Sequence, residues 1–179
     1  MLRLFTALSI PEDVAETLQR RQSGLPGARW RPLEALHVTL AFHGEMDERR
    51  ADDLASELSR VGGAPFEIVL KGVGAFGDAH RSHTIWAGVE TPNEPLSVLA
   101  GRCRAAAGRA GVTTEAREYR PHVTLAYLKP QTDPARVGAW ITGHNLLHSP
   151  PIRIDRFGLY SSVLTDAGSH YQLEREYLL

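Results

Sequence analysis

Two hydrophobic periods alternate along this chain, one of two residues and one near 3.6, so strands and helices are expected in turn. Leu2 to Ser9 reads as a strand. Pro11 suits a first helical turn, with Glu12 and Asp13 at the positive end of the dipole, and predicts a helix over about 11–22. Ser23-Gly24-Leu25-Pro26-Gly27 stops it, and Arg29-Trp30-Arg31 reads as a short extended piece. A strand comes next at Ala35 to Phe42. Asp47 is placed to cap a helix over about 48–60, whose Leu54, Leu58 and Val61 share a face, and Gly62-Gly63 ends it. Phe66 to Lys71 is a strand, then comes a glycine-rich loop, then a strand around Thr84 to Val89. Asn93 with Pro95 opens a helix to about Arg109, closed by Gly111. Another strand covers Arg120 to Tyr127, and Asp133-Pro134 opens a short helix. Strands over about 151–160 and 170–178, turned at Asp166-Ala167-Gly168, close the chain. Interleaved helices with hairpin-like strand pairs predict an α+β fold, largely antiparallel, in one domain over residues 1–179.

Two of these strands carry the same five residues. His37-Val38-Thr39-Leu40-Ala41 recurs as His122-Val123-Thr124-Leu125-Ala126, each followed by an aromatic, Phe42 or Tyr127. Side chains alternate faces along a strand, so His and Thr share one face and Val and Leu the other. A single copy is what any good strand offers, but duplication points to two related units. If the polar faces meet, two imidazoles and two hydroxyls line one groove, which suits acid–base chemistry. The odd offset of Phe42 and Tyr127 from their histidines assigns them to the opposite face unless the strands bend there. Packing is therefore the expected role of Phe42.

Charge and cysteine content narrow the classes. The 179 residues carry 20 basic and 21 acidic side chains, a net charge of −1, so no global basic field drives nucleic-acid binding. The basic residues are Arg except for Lys71 and Lys129, and Arg suits bidentate phosphate contacts. One cysteine, Cys103, excludes an internal disulfide and a multi-cysteine zinc site, and is expected to pack in a core. The first apolar run stops at Pro11, too short for a secretory leader, and no apolar run approaches ~18 residues. A soluble, cytoplasmic, monomeric protein without membrane contact is expected.

Two further motifs weigh less. Gly72-Val73-Gly74-Ala75-Phe76-Gly77 matches a dinucleotide phosphate loop, but that loop must open a helix, and a strand pattern comes after it instead. A tight connection between strands is the expectation. His80 with His83, and His144 with His148, have spacings that zinc sites use, yet lack an accompanying glutamate arrangement. Solvated loop histidines and no metal are expected.

The paired His-x-Thr-Leu motifs, with Arg3-Leu4-Phe5-Thr6-Ala7-Leu8, Trp30, Gly74-Ala75-Phe76, Ile85-Trp86-Ala87-Gly88-Val89 and Leu159-Tyr160-Ser161-Ser162, make the chain resemble the two-histidine (2H) phosphoesterases. Within them it is most similar to the LigT-like RNA 2′,3′-cyclic phosphodiesterases of the 2′-5′ RNA ligase family. The resemblance implies two pseudo-symmetric αβ lobes with antiparallel sheets around a central groove. It implies hydrolysis of 2′,3′-cyclic phosphates on RNA ends or nucleotides to 2′-phosphomonoesters, without cofactor or metal, and ligation through 2′–5′ linkages as the reverse. His37 and His122 become the catalytic pair, His122 as base and His37 as acid. Thr39 and Thr124 donate to the phosphate oxygens, and Tyr127 contacts substrate. Relatives often carry a phosphate-binding Arg where Tyr127 stands, so the charge is expected from Arg120 or Arg81. The alternative is a nucleotide-binding module without turnover on the same fold.

Overall fold

The histidine motifs lie side by side at the middle of one sheet. The computed structural model describes residues 1–77, 82–114, 118–165 and 168–179, with side chains left aside at 164, 165, 168 and 169. In chain order the described elements are β1 (Leu2–Ser9), α1 (Glu12–Gln19), β2 (Ala28–Trp30), a 3-10 turn (Leu33–Ala35), β3 (His37–Met46) and α2 (Glu48–Leu58). Next come β4 (Phe66–Ile68), β5 (Leu70–Gly77), β6 (Ser82–Val89), α3 (Glu94–Arg109) and β7 (His122–Leu128). The chain closes with α4 (Pro134–His144), β8 (Ile152–Ile154), β9 (Arg156–Thr165) and β10 (Gly168–Leu178). The large sheet has the order β10-β9-β1-β3-β7-β6-β5, with β2 also paired to β7, and β4 with β8 forms a small second sheet. All these pairings are antiparallel. This is the α+β architecture read from the sequence.

The helix ends obey local chemistry. Arg50 N–H donates to Asp47 at 2.8 Å, Leu96 N–H to Asn93 at 3.1 Å and Ala135 N–H to Asp133 at 2.9 Å, each satisfying an otherwise unpaired first-turn donor. Pro11 precedes the first helical residue, and its carbonyl accepts from Ala15 N–H at 2.9 Å. Leu54 and Leu58 of α2, Leu96, Leu99 and Cys103 of α3, and Val38, Leu40, Val123 and Leu125 of the motif strands share one buried core. Cys103 is packed there as expected, and burial pushes its thiol up to about 12, beyond ordinary reactivity.

Three readings of the strand pattern change. Gly72–Gly77 lies within β5 rather than in a loop. The expected strand Phe66–Lys71 divides between β4 and β5, which join different sheets. The strand expected over 151–160 likewise breaks at Asp155 into β8 on the small sheet and β9 on the large one. A continuous apolar run does not reveal a change of partner, because the partner lies far away in sequence. Of the expected final turn, Asp166 and Ala167 lie outside the described residues.

Candidate active site

Val38 is paired with Val123, and both are fully buried. Alternation then turns His37, Thr39, His122 and Thr124 to the opposite face, where each is partly buried. Continuing that antiparallel register sets His37 across from Thr124 and His122 across from Thr39. The two histidines are thus diagonal neighbours, with Cα atoms roughly 7–8 Å apart. A phosphate group between them can be reached from both sides.

The same backbone contact orients each ring. Nδ1 of His37 lies 2.9 Å from the Ala35 carbonyl, and Nδ1 of His122 lies 2.6 Å from the Arg120 carbonyl. A carbonyl only accepts, so the proton sits on Nδ1 and each Nε2 is left for the groove. Burial lowers the His37 pKa to about 4, against the support of the Ala35 carbonyl and with further lowering by nearby Arg31 and His122. Burial also lowers His122, opposed by the Arg120 carbonyl. Both imidazoles are neutral at pH 7, and His122 holds a proton more readily.

Aromatic walls flank both rings. Phe5 and Tyr171 lie 5.0 and 5.2 Å from His37, centroid to centroid, and Phe76 and Trp86 lie 4.8 and 6.4 Å from His122. Gly74 of β5 serves this arrangement: a Cβ there would come within 2.4 Å of the Trp86 ring. The Trp86 indole N–H is buried with no partner among the described residues.

Phe42 and Tyr127 are where the alternation argument failed. In the β1–β3 register Ala7 pairs with Thr39 and Thr6 with Ala41, leaving Leu40 as an extra residue. In the β6–β7 register Trp86 pairs with Thr124 and Ile85 with Ala126, leaving Leu125 as an extra residue. Both motifs thus contain a β-bulge at the same position, and each bulge inverts the facing of the next residues along its strand. Phe42 and Tyr127 emerge on the histidine face, 60% and 38% exposed. Phe42, expected to pack, is open to solvent beside Phe5, 5.9 Å away. His43, next along the strand, alternates back into the core, 4% exposed, and a second irregularity follows it at Gly44, φ +76°.

Arg120 is exposed and paired with Glu118 at 3.0 Å, and Arg81 lies outside the described residues. Sequence reasoning passed over Arg31, which comes directly after β2, is 7% exposed and lies over the rings of Tyr127 and Tyr171. Phe5, Phe76 and Trp86 stood in the sequence only within the family resemblance, without a role, and with Tyr171 they come from distant strands. Of the other histidines, His144 is on α4 rather than in a loop, stacked on Trp140 at 4.2 Å, and His80 lies outside the described residues. Among the described residues no cluster of three His, Cys, Asp or Glu side chains could hold a metal ion, and no helix is long and apolar enough to cross a membrane.

Comparison with known proteins agrees with this geometry. Residues 10–166 match the model of the 2′-5′ RNA ligase superfamily. The chain is 32% identical to the RNA 2′,3′-cyclic phosphodiesterase of Thermotoga maritima, covering 96% of this chain and 92% of the relative. It is 27% identical to the RNA 2′,3′-cyclic phosphodiesterase of Archaeoglobus fulgidus, with 96% and 97% covered. The fold matches that of Escherichia coli LigT complexed with 3′-AMP at a TM-score of 0.79 and 24% identity, over 99% of this chain and 98% of that one.

Proposed function

Because the chain belongs to the 2′-5′ RNA ligase superfamily, we propose that it is an RNA 2′,3′-cyclic phosphodiesterase, opening terminal cyclic phosphates to 2′-phosphomonoesters. The observation that carries this reading is the pair of equivalently held imidazoles, each with Nδ1 fixed on a backbone carbonyl and Nε2 left for the same groove. Water attacks phosphorus in line while the 3′ oxygen leaves opposite. One imidazole takes the water's proton and the other delivers a proton to the departing oxygen, each contributing roughly 10²–10⁴-fold. Thr39 and Thr124, on the same face, donate to the non-bridging oxygens as charge moves onto them.

The environments separate the two roles. His37 is held neutral and suits the base, whereas His122 gains a proton more readily and suits the acid. This order is opposite to the one expected from the sequence. Ligation through a 2′–5′ linkage follows the same path with an RNA 5′-hydroxyl in place of water: the base takes its proton and the acid protonates the departing 3′ oxygen. The cyclic diester is already activated, so proton transfer is sufficient chemistry and no metal is called for. Phe42 and Tyr127 offer ring faces on which a nucleobase stacks. The RNA-end substrate supports a cytoplasmic setting.

The test is turnover of an oligonucleotide ending in a 2′,3′-cyclic phosphate, with EDTA present, by wild type, His37→Ala and His122→Ala. Turnover that resists EDTA, is lost in both variants and yields a 2′-phosphate is expected. A well-folded wild type that binds AMP but turns over no cyclic phosphate would replace this reading with a nucleotide-binding module.

A further inference from the structure

We infer that Arg31 is the phosphate-binding cation of this groove, delivered from β2 and clamped between the rings of Tyr127 and Tyr171. The inference rests on reading the groove as a phosphodiester site. The placement begins with the backbone: Arg29 pairs with Tyr127 and Trp30 with Ala126, and Arg31 N–H then donates to the Leu125 carbonyl at 2.8 Å. That last bond reaches the bulge residue of the second motif, so β2 is anchored where the strand turns Tyr127 into the groove. The Arg31 guanidinium carbon lies 5.4 Å from the Tyr127 ring centroid and 5.2 Å from that of Tyr171. Tyr171 in turn lies 5.2 Å from the His37 ring. The cation is therefore held within reach of one catalytic imidazole.

Its bonding is incomplete in a way that points to an anion. Arg31 is 7% exposed, and its Nη2 is buried with no hydrogen-bond partner among the described residues. No ion pair among the described residues joins it to a carboxylate. A guanidinium stays charged at any physiological pH, and burying it without a partner is costly. Two aromatic faces hold such a cation by its plane but leave the N–H groups at its edge free. A phosphate oxygen pair satisfies those groups, and the bidentate fit that favours Arg over Lys applies here. The neighbouring charges are of the same sign: Arg29 lies 5.8 Å from the Tyr127 ring centroid, and Arg3 is close enough to act on Tyr171. Tyr127 carries no charge itself, and its role is to hold one.

The experiment compares wild type, Arg31→Gln and the double variant Arg31→Gln/Tyr127→Arg. The probes are inorganic phosphate, titrated by calorimetry, and 2′,3′-cyclic AMP as substrate. Arg31→Gln is expected to weaken phosphate binding at least tenfold and to lower kcat/KM by about 10²-fold. Returning the charge at position 127 is expected to restore phosphate binding. Wild-type phosphate affinity in a folded Arg31→Gln protein overturns the inference. Should that variant not fold, NMR of the wild type decides: phosphate must shift the Arg31 Nε–H signal, and an unmoved signal at saturation overturns it. If wild type turns over no cyclic phosphate, the functional reading fails while phosphate binding still tests Arg31.

Discussion

Val38 and Val123 are paired across the centre of the large sheet, the one register pair described between the two motif strands. Each valine faces the core, and each is followed two residues later by a core leucine. The pairing therefore relates the two histidines by an approximate two-fold axis, as one proton-transfer unit of the proposed reaction requires. Groups acting as a unit are not additive when removed. His37→Ala and His122→Ala are each expected to lose at least 10²-fold in kcat, and the double variant little more than the worse single one. Additive losses in single-turnover rates would mean that the two imidazoles act in separate steps.

The pH profile is expected to be displaced to the acid side. In the proposed assignment the base is His37, its pKa lowered to about 4, and the acid is His122, lowered from 6.5 by burial. The base works when deprotonated, above about 4, and the acid when protonated, below its own lowered pKa. A plot of kcat/KM against pH should be a bell with both limbs below 6.5. Removing the Arg31 charge should raise the acidic limb, because that charge lowers the His37 pKa. An alkaline limb well above 6.5 would refute the assignment of His122 as the acid.

His43 supplies a test of stability rather than activity. Its ring is buried, neither nitrogen has a partner, and burial lowers its pKa to about 4. A folded pKa below the unfolded 6.5 means that the unfolded chain binds more protons between these values. Stability is therefore full above 6.5 and falls as the pH drops toward 4. The lowered pKa of His37 acts in the same direction. His122 does so too, and His43→Leu removes one of the three contributions, up to about 3 kcal/mol. Urea unfolding at pH 7 and pH 5 should show a smaller loss for the variant, and an equal loss would contradict the buried neutral imidazole.

Phe42, being 60% exposed, can be removed at little cost to the fold. As a stacking surface for a base it should contribute about 1–3 kcal/mol to nucleotide binding. Phe42→Ala is expected to weaken 2′-AMP by about tenfold or more while leaving inorganic phosphate unaffected. Equal effects on both ligands in calorimetry would assign the ring a packing role instead.

Local patterns were enough for a large part of this molecule. The duplicated His-Val-Thr-Leu-Ala stretch made the candidate histidine pair and its shared polar face legible, because strand alternation is a property of a few neighbouring residues. Asp47, Asn93 and Asp133 announced their helices because capping is settled within one turn of chain. Tertiary structure decided what depended on partners. The bulges at Leu40 and Leu125 arise from the registers with β1 and β6, and they brought Phe42 and Tyr127 to the face that simple alternation denied them. Gly74 of β5, the middle glycine of what spells a phosphate loop, instead clears a bed for Trp86. Arg31 enters the site only because β2 lies beside β7, nearly a hundred positions away in sequence. Its two aromatic neighbours stand on β7 and β10. Periodicity reports which way a side chain faces, whereas the chemistry it meets there is set by the strands that fold against it.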